Sequence, residues 1–347
     1  MTDAHINAGL DELRAVAAAA LRAAGCDESH ALATADVLVR AEQDGCASHG
    51  LFRLPGFLAA LKCGKATGDL APIVERLAPG VLRIDGRRGL SAFATHLARE
   101  NILPLARDNG IAAAAITNVH HFSALWVDIE PLVDSGLGAL VCTAYVPFVA
   151  PAGASQRFFG TNAIAFGFPG DDGFIFDQAS AATARGELQI AARDGKLAPE
   201  GAGVGPDGQP TRDPAAILLG AQSPFGGHKG SSIALMVELL AGVLIGQPTS
   251  PEAGREEARL GALEDTGPPN GGMLLIAFDP DRFGDPQGWR GHSASFFAEL
   301  RALPGVRLPG DRRRQERERI ARDGVTLPAA LWRQIRAAAG QPPAKTG

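Results

Sequence analysis

The sequence of 347 residues predicts a mixed fold of the α/β or α+β class. Residues 8–44 have the spacing of two helices, which Gly25 separates. From about residue 80 short apolar strands mix with helices, but the βαβ alternation of a parallel sheet is not regular. Hydrophobic residues make up 46% of the chain and charged residues 20%, so an ordinary globular core is expected.

The predicted elements follow in chain order. A loop at residues 44–50 follows the first two helices, and a third helix is predicted over residues 52–61. Residues 248–270 are polar and rich in glycine and proline, which predicts a mobile excursion, and residues 311–347 are predicted to be helical and then frayed. Between them the apolar patterns predict strands at 81–84, 111–117, 138–145, 163–168, 174–177 and 273–278, and helices at 91–108, 123–134 and 231–245.

Composition and charge exclude several classes of protein. The net charge of −5 and the lack of a concentrated basic patch argue against a nucleic-acid partner. The four cysteines form neither a C-x-x-C pair nor a cluster with zinc spacing, so we expect reduced thiols in a cytoplasmic protein and no metal site. Residues 1–10 lack the pattern of a signal peptide, and no apolar run reaches the roughly 18–20 residues of a membrane-spanning helix. No membrane association is therefore expected.

Ser48, His49 and Arg53 bring a hydroxyl, an imidazole and a guanidinium into six positions. A histidine beside a hydroxyl can relay a proton near neutral pH, and a nearby arginine can bind a carboxylate through two hydrogen bonds. The same residues also suit a plain helix start, with Ser48 as the cap and His49 in solvent. Both interpretations stay open from these residues alone.

Two glycine-rich segments look like nucleotide-binding loops. Residues 201–206 have the wrong surroundings for a Rossmann turn, because a polar stretch precedes them and Pro206-Asp207-Gly208 would stop any helix. Residues 226–232 are not a Walker A loop, since Lys229 precedes the glycine, but they lead into a predicted helix. That helix start, with His228 and Lys229 beside it, favours an anion site over a plain loop.

Three further segments carry candidate groups. His120 and His121 follow a predicted buried strand, where ligands often bind in α/β proteins, although they also fit a pair of loop histidines. Glu187 could accept the second N–H of His49, or it could be an ordinary carboxylate on a helix face. The arginines at 312–314 could bind a phosphate, with a solvated helix as the alternative.

Taken together, six segments resemble the type-2 malate/lactate dehydrogenase family, the non-Rossmann nicotinamide oxidoreductases. They occur in the family's order and span nearly the whole chain. Within the family, residues 120–126, 225–229 and 308–313 are most similar to the reductases of Δ1-piperideine-2-carboxylate and Δ1-pyrroline-2-carboxylate. The six segments are Ser48-His49-Gly50-Leu51-Phe52-Arg53, His121-Phe122, Gly160-Thr161-Asn162-Ala163-Ile164-Ala165-Phe166, Phe176-Asp177, Pro224-Phe225-Gly226-Gly227-His228-Lys229-Gly230 and Leu308-Pro309-Gly310.

The resemblance implies a fold and a reaction. It implies a non-Rossmann nicotinamide-binding and substrate domain with a largely antiparallel mixed sheet at 79–314, and a helical domain at 1–78 joined by C-terminal helices at 315–347. It implies NADPH-dependent reduction of a small cyclic ketimine carboxylate to L-pipecolate or L-proline, in a homodimer. NADPH is favoured by Arg185 and the arginines at 312–314, and NADH is the alternative cofactor.

The resemblance also implies a role for each matching residue. Ser48, His49 and Glu187 would form the proton relay, and Arg53 and Thr161 would hold the substrate. The cofactor would be bound by His121, Phe122, Ser123, Ala124, Leu125, Asp177, Gln178, Ala179, Arg185, Gly186, His228, Lys229, Arg307, Leu308, Pro309, Gly310, Asp311, Arg312 and Arg313.

Some positions depart from the ketimine reductases. Glu187 stands where they have aspartate, Arg185 where they have histidine, and Ala163 where the family usually has proline. Gln178 and Ser180 replace their leucine and threonine. These departures leave open a 2-keto acid/2-hydroxy acid dehydrogenase on the same scaffold. A nucleotide-binding protein without catalysis is a third hypothesis, but a binding module needs no proton relay.

Overall fold

The computed structural model describes residues 5–120, 124–144, 146–170, 173–260 and 271–341 of the protein. The α-helices are α1 (Leu10–Ala23), α2 (Glu28–Gln43), α3 (Leu54–Lys62), α4 (Ser91–Asn109), α5 (Leu125–Asp134), α6 (Arg185–Arg193), α7 (Pro214–Leu219), α8 (His228–Glu238), α9 (Ser250–Leu260), α10 (Trp289–Ala302), α11 (Asp311–Asp323) and α12 (Ala329–Ala338). The strands are β1 (His5–Ala8), β2 (Ile73–Ala78), β3 (Val81–Asp85), β4 (Ile111–Val119), β5 (Gly138–Thr143), β6 (Ala163–Phe168), β7 (Phe174–Gln178), β8 (Gly203–Val204), β9 (Pro210–Thr211), β10 (Ala221–Gln222), β11 (Gly271–Phe278) and β12 (Val325–Pro328).

The main sheet has the strand order β2-β3-β4-β11-β5-β6-β7 within the described ranges. Only the β3–β4 pair in it is parallel, and every other neighbouring pair is antiparallel. The predicted mixed α/β class with a largely antiparallel sheet is therefore confirmed. It differs from a Rossmann sheet, whose strands are mostly parallel.

Both faces of the central strands are covered, which explains their continuous apolar sequences. On one face, Ile102 of α4 and Ile129 of α5 belong to the same buried cluster as Ile116 of β4. On the other face, Val237 of α8 packs in a cluster with Leu274 of β11. The sheet therefore lies between two helical layers.

A separate helical unit has its own core. Leu13 of α1, Leu38 of α2 and Leu54 of α3 are fully buried, in one cluster with Trp332 and Ile335 of α12. Strand β12 pairs antiparallel with β1 beside this core. The unit is therefore built from residues 5–62 together with residues 325–338. Neither strand was predicted, because each is short and its partner lies far away in sequence.

Several element predictions need correction. Residues 250–260, predicted as part of a mobile excursion, form α9. Thr249, the residue before this helix, donates its backbone N–H and its hydroxyl to the carboxylate of Glu252 in the first turn. This resembles a capping box and stabilises the helix start. Strand β2 pairs with β3 although it falls inside the segment predicted to be helical, and α10 was not predicted. The division into domains at residue 78 stays a prediction.

None of the helices in the described ranges combines the length and apolarity needed to cross a membrane.

Candidate active site

Residues 44–53, here called the 44–53 loop, connect α2 to α3 through two short 3₁₀ turns, Ala47–His49 and Leu51–Arg53. Glu42, at the end of α2, lies buried beneath this loop and accepts a hydrogen bond from the Leu51 backbone N–H at 2.7 Å. A side chain at Gly50 would collide with the Glu42 carboxylate. Burial raises the pKa of Glu42 to about 7. The loop therefore rests on a buried carboxyl group that tolerates only glycine above it.

The 44–53 loop brings Ser48 and His49 into direct contact. The Ser48 Oγ lies 3.0 Å from His49 Nδ1, which is hydrogen-bonding distance. Burial, and then the positive charge of Arg53, lower the pKa of His49 to about 4. The imidazole is therefore neutral at physiological pH, so it can accept a proton or a hydrogen bond.

Arg53 lies beside the Ser48–His49 pair and against the start of α6. Its Nε donates to the Ser48 carbonyl at 2.7 Å, and its Nη1 donates to Gln189 Oε1 at 3.4 Å. A methyl group added at Gly186 would lie 2.9 Å from Arg53 Nη2 and 2.9 Å from Ser48 Cβ. Only glycine at 186 lets α6 approach the loop this closely.

Glu187 occupies the first turn of α6, next to Gly186, but its side chain is exposed. Among the contacts of the described residues, no hydrogen bond or ion pair joins Glu187 to His49. A carboxylate in the first turn of a helix also interacts favourably with the helix dipole. The proposed relay role of Glu187 stays a prediction.

Trp126 of α5 forms a wall of the same site. Its ring meets the His49 imidazole edge-on, with centroids 6.0 Å apart. Asp177, at the end of β7, accepts a hydrogen bond from the Trp126 backbone N–H at 3.2 Å. A side chain of the sheet therefore caps the start of α5. Burial raises the pKa of Asp177 to about 6. Ala124 and Leu125, also predicted as cofactor residues, are buried in this helix start.

The arginine segment, residues 307–313, runs into α11 on the far side of Trp126. Gly310 has a left-handed φ of 94°, and the Leu308 N–H donates to Asp311 Oδ2 at 2.9 Å, which closes the turn before the helix. The Arg313 guanidinium lies over the Trp126 ring, 5.1 Å from its centroid. Pro309 and the remaining arginines of the segment, Arg307 and Arg312, are exposed.

Thr161 precedes a strained position in a tightly held loop. Its carbonyl accepts the backbone N–H of Ser180 at 2.7 Å and the hydroxyl of Ser180 at 2.9 Å. Asn162 has a φ of +39° and is fully buried, and its Nδ2 donates to Glu238 Oε1 at 2.8 Å. Ser250 donates its backbone N–H to the other oxygen of Glu238 at 2.8 Å. This buried network fixes the backbone beside Thr161.

Helix α8 begins at His228, three residues earlier than predicted. The N–H groups of Lys229, Gly230 and Ser231 donate to carbonyls of the preceding turn. These groups are therefore not directed outward, and the predicted anion site depends on the exposed side chains of His228 and Lys229. Gly226 and Gly227 line a cavity of 510 Å³ together with residues 150–154 and others.

The remaining predicted cofactor residues lie at the margins. The Arg185 guanidinium lies over the Phe148 ring, 3.6 Å from its centroid. Gln178 is exposed at the end of β7, and Ala179 is half-buried. His121, Phe122 and Ser123 lie outside the described residues. Within the described residues, no group of three or more His, Cys, Asp or Glu side chains is arranged to hold a metal ion.

Residues 9–336 match the family of malate/L-lactate dehydrogenases. The chain belongs to this family. The resemblance inferred from the six sequence segments is thereby confirmed, and the protein is an oxidoreductase of the malate/L-lactate dehydrogenase family.

Several proteins that are similar to this chain over nearly its full length are named as reductases. The chain is 46% identical over 339 residues to a Δ1-pyrroline-2-carboxylate reductase of Ancylobacter novellus, covering 96% of this chain and 98% of the relative. It is 47% identical over 331 residues to a Δ1-pyrroline-2-carboxylate/Δ1-piperideine-2-carboxylate reductase of Pseudomonas aeruginosa, covering 94% and 97%. The crystal structure of a Δ1-piperideine-2-carboxylate reductase from Pseudomonas syringae matches with a TM-score of 0.90 at 38% identity, covering 96% and 99%.

For this member of the malate/L-lactate dehydrogenase family, the structure brings together Ser48, His49, Arg53 and Gly186. It adds two residues to which the sequence analysis gave no role, Gln189 and Trp126. Gln189 follows Gly186 by three residues on one helix face, a spacing that could have suggested contact with the same partner. Trp126 carried no such signal, because its neighbours come from distant segments.

Proposed function

We propose that the protein uses a reduced nicotinamide cofactor, NADPH by preference, to reduce Δ1-pyrroline-2-carboxylate and Δ1-piperideine-2-carboxylate to L-proline and L-pipecolate. The observation that carries the proposal is the contact of Arg53 with the Ser48–His49 pair. One cation for a carboxylate and one neutral imidazole for a ring nitrogen are what a small ketimine acid requires. The names of the full-length relatives support the same substrates.

In this proposal Arg53 binds the substrate carboxylate. A guanidinium can donate two parallel hydrogen bonds to a carboxylate, which fixes the orientation of the ring as well as its position. Thr161 would contact the same substrate from its rigid loop. Because the carboxylate offsets the charge of Arg53, substrate binding should raise the pKa of His49 from its low value in the free protein.

His49 would manage the proton on the ring nitrogen. A neutral imidazole accepts a hydrogen bond from the protonated ketimine nitrogen and favours its cationic form, which is the better hydride acceptor. Ser48 would fix the imidazole through the contact at Nδ1. Glu187 completes the proposed relay, although it contacts neither group among the described residues.

The residues fit a dinucleotide with phosphate groups. The bound cofactor would supply the hydride. Arg307 and Arg312 are exposed beside the left-handed Gly310, and Arg312 also hydrogen-bonds to Cys46 of the 44–53 loop. Exposed guanidinium groups beside a tight turn suit phosphate binding. His228, Lys229 and Arg185 would add contacts from the other side of the site.

The second candidate function is a 2-keto acid/2-hydroxy acid dehydrogenase, favoured by the family's description as malate/L-lactate dehydrogenases. The same arginine and histidine would serve a carbonyl, because the chemistry differs only in C=O against C=N. A homodimer and a cytoplasmic location also belong to the proposal. Sedimentation of the purified protein and fractionation of cells would test these two points.

The deciding experiment follows NADPH and NADH oxidation with both cyclic ketimine acids, pyruvate and other keto acids. Turnover of the ketimines supports the proposal, whereas turnover of keto acids alone supports the second candidate. Cofactor binding without any turnover would contradict both. In the same assay, Arg53→Met should raise KM for the preferred acid by roughly 10-fold or more, since a charge-assisted pair is lost.

A further inference from the structure

Trp126 is held by hydrogen bonds at both its backbone and its ring. Its backbone N–H donates to Asp177, and its indole Nε1 donates to Asp44 Oδ2 at 2.6 Å. The indole is buried, and Asp44 is fully buried at the start of the 44–53 loop. A buried tryptophan usually finds a partner for its N–H group, but a carboxylate gives an unusually strong one.

Asp44 is itself held in place by α11. Arg317 donates to both carboxylate oxygens of Asp44, with Nη2 at 2.9 Å from Oδ2. Arg317 also contacts Glu130 of α5 at 2.7 Å, and Arg40 of α2 pairs with the same Glu130. The hydrogen bond to Asp44 is the main cause that raises the pKa of Arg317. A buried carboxylate needs such pairing, because otherwise its desolvation is costly.

The Trp126 ring contacts both the 44–53 loop and the arginine segment. The Trp126 ring meets His49 edge-on, with an interplanar angle of 69°, and it lies under the guanidinium of Arg313. Edge-to-face contacts and cation–π contacts each favour a defined orientation of the partner. One side chain therefore contacts the imidazole of the 44–53 loop and a guanidinium of the arginine segment.

We propose that Trp126 is a positioning residue of the active site, fixed by Asp44, that orients the imidazole of His49 and the guanidinium of Arg313 together. Asp44 and Arg317 act through Trp126 and do not touch substrate or cofactor. The inference rests on the proposed roles of His49 and Arg313. It adds that the indole N–H bond to Asp44 sets the position of the ring against both groups, while Arg313 also donates to the Ile175 carbonyl.

Trp126→Phe tests this inference, because it keeps an aromatic ring but removes the N–H group that donates a hydrogen bond to Asp44. Trp289→Phe is a matched control. The Trp289 Nε1 donates to Asp281 at 2.7 Å, its ring meets Phe168 edge-on at 5.6 Å, and Arg290 lies 4.4 Å from its centroid. The control therefore removes the same kind of indole hydrogen bond to a carboxylate, from a half-buried ring with similar neighbours at a place with no proposed role.

Two readouts separate positioning from plain packing. NMR titration of the cofactor-free protein should show the pKa of His49 moving from about 4 toward 6.5 in Trp126→Phe, because a smaller and looser ring admits water. Turnover should fall about 10–100-fold, as expected when reacting groups are displaced by about 1 Å. Trp289→Phe should leave both unchanged.

An unchanged pKa of His49 and unchanged kcat in Trp126→Phe, with only thermal stability lowered, would overturn the inference. If that variant does not fold, Asp44→Asn replaces it, since asparagine keeps the volume and one acceptor but weakens the bond. The same two shifts, smaller in size, are then expected, and their absence counts equally against the inference. The titration needs no turnover, so it stays decisive even if His49→Ala remains active and the proposed relay fails.

Discussion

The 44–53 loop and the arginine segment meet at Trp126, yet they differ in their exposure to water. In the loop, His49 is held in a pocket that lowers its pKa to about 4, above the buried Glu42. In the segment, Arg307 and Arg312 are exposed, although Arg312 also hydrogen-bonds to Cys46 of the loop. Proton handling depends on the exclusion of water, whereas capture of a charged ligand depends on access to it. Changes at Ser48 or His49 in the loop should therefore alter kcat, and changes in the segment should alter cofactor affinity.

The largest effect is expected for His49→Ala. General acid–base help contributes roughly 10²–10⁴-fold, so kcat should fall by that factor while the Kd for NADPH stays nearly unchanged. Steady-state kinetics with the ketimine acids and a binding titration measure the two quantities. His96→Ala serves as the control, because His96 is an exposed histidine on α4 that, within the described ranges, pairs with the exposed Glu100 and with Arg99. Near wild-type turnover of His49→Ala would show that the relay assignment is wrong.

A smaller effect is expected for Arg312→Met in the arginine segment. Loss of one charge-assisted contact to the 2′-phosphate should weaken NADPH binding by about 10-fold, with little change for NADH or for kcat. Isothermal titration with each cofactor measures the difference. Arg319→Met removes the same charge from the same helix, but Arg319 pairs with Glu316, so no change in cofactor binding is expected. Equal weakening of NADPH and NADH would argue against a role at the 2′-phosphate.

The last prediction concerns the stability of the protein and the support under the 44–53 loop. Because burial raises the folded-state pKa of Glu42 from 4.5 to about 7, its contribution to stability is fully present below pH 4.5 and is lost as the pH rises through 7. Glu42→Gln keeps an acceptor for the Leu51 N–H and does not titrate. Its free energy of unfolding relative to wild type should therefore improve between pH 5 and pH 8, by up to about 3 kcal/mol.

Denaturant unfolding at several pH values measures this slope. Glu318→Gln, which removes an exposed carboxylate from α11, should show no comparable change between the same pH values. A Glu42→Gln variant whose stability runs parallel to wild type at every pH would show that the buried carboxyl does not titrate in this range.

The fold class could be predicted from sequence because it depends on local patterns. Apolar runs of strand length predicted most strands of the main sheet. The six sequence segments, which occur in the same order as in the family, indicated the family. The pairing of β1 with β12 could not be predicted, since it joins short segments that lack a strong pattern of their own. Helix α9 has a polar sequence, so its main signal was the Thr249–Glu252 cap and not an apolar pattern.

The candidate site shows the same limit. Ser48, His49 and Arg53 are neighbours in sequence, so their spacing could suggest a common role. The contact of Gly186 with that group, and the bond between Trp126 and Asp44, join segments more than 80 residues apart. Burial decides which of these groups are neutral, and burial of a particular side chain cannot be read from a single sequence.

The pairing of β1 with β12 has a consequence for the order of events during synthesis. Asn7 accepts a hydrogen bond from Thr326, a residue 319 positions later, and α12 fills the core beneath α1. At roughly 5–20 residues per second, a ribosome needs tens of seconds to deliver that partner. Until then the helices that support the 44–53 loop lack part of their core. The emerging chain would therefore complete the main sheet before the 44–53 loop has its full support, which delays formation of the candidate site until residues 325–338 have been made.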